Sequence, residues 1–398
     1  MRRLAIVLLL ASAGSLAAAK PRAAPASATS APVTPEHVTV GQLDQMLASL
    51  NQRRDADAAR AIAALELTER PSRDEVERWE GKLPGKHASE ALCALTDAAA
   101  FLNPPTADLP ADPPPEIATQ NQIVARAQDY VIHTLHKLPN FSALRHSTGF
   151  ELAAKGELAS QQVGLDFLGP KSAKAPRQDR PQYLGPASAV PSGGLYLDGV
   201  WEHLVTYRDG GEVADAPEAG GASATSGLQE LTTSGEFGPI LSTVLDDIPH
   251  GKVIWSHWER NTPSTLAVFH YEVPRVDSHY AVQTSANSPI EQPAYRGEIA
   301  IDPATGAIFR ISVQAWLREP GSAYESGILV EYGMVTIGGS PYICPVHGVA
   351  YLNIYPPFID EDAQPAPVPR HEYINDVLFT QYHVFRSESR ILPGGPGF

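Results

Sequence analysis

The sequence predicts an α+β protein: a small amino-terminal helical bundle, then an antiparallel sheet packed on one long helix. Three observations carry that prediction. Apolar residues recur at helical spacing between positions 39 and 138. From about residue 140 the period changes to two. Tight turns rich in Gly, Pro and Asp then separate one short strand pattern from the next.

The chain opens with a pattern for export. Arg2 and Arg3 precede the apolar run Leu4–Ala11, and Ala17, Ala18 and Ala19 supply the small residues that a signal peptidase reads. The run is shorter than the roughly 20 apolar residues a membrane-crossing helix needs. No later segment is long and apolar enough, so no transmembrane span is predicted. Residues 1–19 therefore read as a signal peptide, which sends the chain to the periplasm or outside the cell. Residues 20–38, rich in Ala, Pro, Ser and Thr, read as a flexible tether.

Residues 39–102 read as the helical domain. Thr39 with Gln42 forms a capping-box pattern ahead of Leu43, Met46, Leu47 and Leu50. Ala58, Ile62, Leu65 and Leu67 mark a second Ala-rich helical segment, and Ser72 with Glu75 opens a third that Leu83-Pro84-Gly85 stops. Ala91, Leu92, Leu95, Ala98, Ala99 and Leu102 give a fourth stripe. Six prolines make residues 103–116 a stiff linker. A long amphipathic helix follows over 117–138, ended by Pro139.

The β region is expected over 117–391, with a long loop at 150–195 and a tail at 392–398. Its strand patterns include Val253–Trp258, Thr265–Val273, His279–Thr284, Tyr295–Ile301 and Ala307–Leu317, then 328–337, 342–355 and 373–391. Asp209-Gly210-Gly211 and Asp302-Pro303-Ala304-Thr305-Gly306 are hairpin turns. At least seven antiparallel strands are expected after residue 196, with little helix beyond 238–247. Alternation places Phe269 and Tyr271 on one face, and Phe309, Ile311 and Val313 on one face.

Net charge is −15, and loss of Arg2 and Arg3 makes it −17. Such a chain repels phosphate backbones, which argues against nucleic acid as a partner. Cys93 and Cys344 are either one long-range bridge or two buried thiols. His257 with Glu259, and His270 with Glu272, each share a strand face. Neither pair has the ligand spacing of a zinc site. No Gly-x-Ser-x-Gly elbow, phosphate loop or dinucleotide fingerprint is present. Cys344 and His347 fall on opposite strand faces. No catalytic residue, metal or cofactor is predicted.

Two resemblances add to this. The helix, the strand Asn140–Arg145, the hairpin at Tyr207–Gly211 and the turn within Ile301–Arg310 resemble the periplasmic lipoprotein carriers and sensors of the LolA/LolB/RseB-like superfamily. Gly235–Pro239, Trp255–Glu259 and Tyr342–Val346 resemble signature segments of an exported bacterial family, a likeness that implies no particular activity. The first resemblance implies a strongly curved antiparallel sheet, a half-barrel, over roughly 118–391. It also implies a non-enzymatic binding protein that holds an apolar ligand, an acyl chain or a lipidated protein in the concavity. Phe269, Tyr271, Phe309, Ile311 and Val313 are then the expected lining. One alternative is a structural or sensing protein whose residues 39–102 bind a protein partner. Another is an envelope hydrolase, which a cleft uniting His257, His270 and a carboxylate would favour. Sequencing the exported chain from its amino terminus should begin at Lys20; a mature chain that retains Arg2 and Arg3 would refute the export reading.

Overall fold

The computed structural model describes residues 7–9, 36–134, 137–153, 195–208, 211–213, 235–261, 264–283, 290–319, 322–355 and 371–384. The expected cleavage point, the 392–398 tail and most of the expected 150–195 loop lie outside them. A three-residue strand, β1 (Val7–Leu9), runs parallel to residues 281–283.

Four helices follow: α1 (Val40–Leu50), α2 (Asp55–Ile62), α3 (Arg73–Glu80) and α4 (Lys86–Ala98). Both capping boxes form. The Thr39 N–H donates to Gln42 Oε1 at 2.8 Å and the Gln42 N–H to Thr39 Oγ1 at 3.2 Å. Ser72 and Glu75 repeat the exchange at α3. The start of α4 has no cap of its own and borrows one. Asp55, the first residue of α2, accepts from the His87 and Ala88 N–H groups at 3.1 and 2.8 Å, satisfying donors that a helix start leaves open. Gly85 permits this, because a Cβ there would stand 2.7 Å from the Asp55 carboxyl. One expectation is corrected: Leu65 and Leu67 do not continue a helix. They lie in strand β3 (Leu65–Leu67), which pairs in parallel with β2 (Glu36–Val38). The alternation of apolar and charged residues in Leu-Glu-Leu suits a strand that is half buried.

The long helix α5 spans Ile117–Thr134. After it come β4 (Phe141–Ala153), β5 (Tyr196–Arg208), β6 (Gly211–Val213), α6 (Pro239–Asp247), β7 (Lys252–Asn261), β8 (Ser264–Val273), β9 (Ala281–Gln283), β10 (Tyr295–Ile301), β11 (Ile308–Glu319), β12 (Ser322–Ile337), β13 (Ser340–Tyr355) and β14 (His371–Val384). Ten strands form one antiparallel sheet that is not closed, in the order β6-β5-β4-β14-β13-β12-β11-β10-β8-β7. The late strand β14 inserts between β13 and β4, joining the two parts of the sheet. The expected strand at 279–284 shortens to β9, which pairs with β1 and stays out of the main sheet. At the β10–β11 turn, Asp302 Oδ1 accepts from the Ala304 N–H at 2.8 Å and Gly306 takes φ +79°. A side chain at Gly306 would also strike the carbonyl of Arg126 on α5, at 2.4 Å.

Side chains pack against both faces of the sheet. On one side Ile123, Ala127 and Val131 of α5, with Ile240, Leu241 and Val244 of α6, share a core with Phe269, Ile299, Ile311, Val330 and Leu352. On the other side Ala94 and Ala100 pack with Phe150, Leu197, Leu329, Val349 and Ile374. Helix α4 is therefore buried twice. Ala88, Ala91, Leu92 and Leu95 face the helical core, while Cys93 and Ala94 face the sheet. The 3.6-residue period makes this possible, since positions three and four apart share a face. Cys93 and Cys344 are free thiols; Cys344 sits in a separate core with Phe141, Tyr207 and Phe237.

Candidate functional site

Of the five expected lining residues, four belong to the packed core. Phe269 and Tyr271 are 1% exposed, Ile311 and Val313 are 0% exposed, and side chains of α5 and α6 share that cluster. The fifth, Phe309, packs on the opposite side with Leu266, Val268 and Ala300. The cause is local. Ala300 pairs with Arg310 but Ile301 pairs with Ile308, so the register slips at Phe309. A bulge of this kind breaks the alternation from which the face was inferred.

The charged residues collect on the face that meets the helical part. Arg310 on β11 is 5% exposed. Its two terminal nitrogens grip both oxygens of Glu259 on β7, the Nη2–Oε2 bond measuring 2.8 Å, and Nη2 lies 3.5 Å from Glu298 on β10. Arg70, between β3 and α3, reaches across to Glu259 at 2.9 Å. Burial raises the Glu259 carboxyl, but the charge of Arg310, the hydrogen bond from His257 and the charge of Arg70 outweigh it and hold the group far below the ordinary range. Burial with the nearby Arg310 charge lowers Arg70.

A second set of charges lies beside the first. His347 on β13 makes contacts of 3.0 Å to Glu331 and 2.8 Å to Asp376. Burial opposes the imidazolium, yet the two carboxylates hold it well above its ordinary value. Burial likewise opposes the Glu331 charge, but His347 brings that carboxyl to about 2. Asp376 also approaches α4, where Cys93, Asp97 and Asp376 bring their donor atoms within 4.8 Å of one another. A thiol and two carboxylates are donors that zinc accepts, so these are the described residues placed to hold a cation. A cation there would displace a proton, because burial and the charge of Asp376 push both the Cys93 thiol and the Asp97 carboxyl well up. Neither Cys93 nor Asp376 signals this in the sequence, being far apart in the chain.

A cleft of about 270 Å³ opens along this seam. Arg70, Phe101, His270, Arg296, Glu298 and Gln314 are among its walls. His270, one wall of the cleft, and His257, which the sequence placed on neighbouring strands, do come together at its border, through Ser256 between them at 3.0 and 2.8 Å. Sequence reasoning passed over Ser256, because a bulge between Trp255 and His257 re-aims it.

No protein-family model, curated protein or solved structure matches this chain. Fold and site together define an α+β protein with a charged seam between a ten-stranded antiparallel sheet and the helices that pack on it.

Two outcomes follow from the seam. Arg310→Leu leaves Glu259 buried with less compensation and should cost about 3–5 kcal/mol in urea unfolding; a loss below about 1 kcal/mol would show the pair to be incidental. For pH, a raised folded value makes the His347 contribution complete below 6.5 and lost as the pH climbs through that folded value. Stability above pH 6.5 should therefore fall less steeply in His347→Gln than in the native chain; superimposable curves would contradict this.

Proposed function

We propose that this chain is an exported cell-envelope protein that binds a small polar ligand in the cleft between its helical part and its sheet. The mouth of the cleft carries the reading. Arg296 on β10 stands opposite Glu272 on β8, both are exposed, and neither forms an ion pair among the described residues. An exposed cation beside an exposed anion, neither locked in an ion pair, suits a small zwitterion, such as an amino acid or short peptide, whose carboxylate and ammonium they match. Ala100, Phe101 and Leu329 supply apolar surface beside them. The volume lies just under the roughly 300–1,000 Å³ of sites for drug-sized ligands, which favours a small occupant. Junctions between structural units are where such sites concentrate.

The apolar ligand implied by the carrier resemblance would have to displace side chains such as Ile123, Ala127, Ile240 and Leu241 from the core. On our reading the half-barrel likeness concerns the scaffold, with the ligand site on the other face. Native mass spectrometry of protein purified from its own envelope should reveal a small polar adduct that Arg296→Glu loses. A lipid adduct, or one that Arg296→Glu leaves in place, would refute the cleft reading.

A further inference from the structure

We propose that a site of acyl transfer borders this cleft, with Ser256 as nucleophile, His270 as its base and Glu298 as the residue that orients the base. The proposal rests on the cleft reading for substrate entry, since His270 and Glu298 line that cleft. The three residues come from three successive strands of the sheet, β7, β8 and β10. Register alone places two of them, His270 being paired directly with Glu298. The third arrives through the bulge, where Ile254 pairs with His270, Trp255 with Phe269 and His257 with Val268, leaving Ser256 without a partner. Bulges commonly re-aim a side chain beside an active site.

The geometry fits the chemistry. Ser256 Oγ lies 3.0 Å from His270 Nε2, and His270 Nδ1 lies 3.3 Å from Glu298 Oε1. A carboxylate at Nδ1 keeps the proton on that nitrogen and turns the Nε2 lone pair toward the serine. His257 Nδ1 also approaches Ser256 Oγ, at 2.8 Å. A hydroxyl has one proton to give, so only one of the two imidazoles can receive it. Glu259, the carboxylate behind His257, is already neutralised by Arg310 and Arg70. Glu298 meets a guanidinium only at 3.5 Å. Its hold on an imidazole is therefore the stronger, which makes His270 the base, with His257 holding Oγ in place from the other side. His270 is half exposed, at 50% of its side chain, so a substrate can reach it.

The step balances within these groups. Oγ attacks the carbonyl carbon of an ester or amide while His270 Nε2 takes the hydroxyl proton. The tetrahedral oxyanion collapses, the bond to the leaving oxygen or nitrogen breaks, and His270 returns the proton to it. Water then attacks the acyl-enzyme with the same base, releasing the acid and restoring Ser256.

A fluorophosphonate probe should modify the mature protein at Ser256, as located by peptide mass spectrometry. Ser256→Ala should abolish the modification. His270→Gln should slow it about 100-fold or more, while His257→Gln keeps it within about tenfold, a change of 1.4 kcal/mol at most. Glu298 is a positioning residue. Glu298→Gln should lower the midpoint of the pH–rate profile for p-nitrophenyl acetate, a readout that a purely structural role would not move. No modification of Ser256, or equal rates in native protein and His270→Gln, overturns the proposal. The two readings fail separately: an adduct without labelling leaves ligand binding and removes acyl transfer. Labelling without an adduct does the reverse.

Discussion

A guanidinium with 5% exposure has to be met by carboxylates, and for Arg310 these come from two other strands. Glu259 stands on β7, three strands away from β11 in the sheet order. Strands lie about 4.8 Å apart, so the pair joins backbones roughly 14 Å apart. Both side chains must extend over Leu266, Val268, Ala300 and Phe309, which form a small apolar floor beneath them. Arg70 then closes the arrangement from the helical part. A displaced Arg70 or Glu259 would leave Arg310 or its partner short of compensation, which is why the cover has one seating on the sheet. Apolar side chains of similar volume could hold such a seam equally well. Retaining charges here is thus a matter of specificity, and of what the cleft beside them can bind.

The seating also depends on how α4 is written. Its Ala and Leu positions at 88, 91, 92 and 95 complete one core, and the small Ala94 lets the opposite side approach Leu329, Val349 and Ile374 closely. Cys93 and Asp97 share that sheet-facing side, which brings Asp97 toward Asp376. Two buried carboxyls so close cannot both carry charge cheaply, and burial with the Asp376 charge pushes the Asp97 carboxyl well up. Ion pairs at one end of the seam and a raised carboxyl at the other make its strength depend on pH as well as on packing.

Local chemistry was legible in the sequence because it acts over a few residues. Thr39 with Gln42, Ser72 with Glu75, and Asp302 through Gly306 each complete their hydrogen bonds within three or four positions. Periodicity therefore gave α5, α6 and most strands, and their antiparallel pairing followed from short connections. Leu65–Leu67 was misread because three residues are too few to separate a strand from a helical turn by period.

What the sequence alone determined is the class of the protein: α+β, with capped helices, a large antiparallel sheet and, among the described residues, no helix long and apolar enough to cross a membrane. Tertiary structure decided which residues meet. A single bulge turned Phe309 away from Ile311, and another presented Ser256 to His270. Arg70 and Glu259 join across 189 positions of chain. Such contacts leave no trace in spacing, because they depend on strand order, on register and on which face the helical part covers. Those are set by the packing of the whole sheet, not by any neighbourhood of residues.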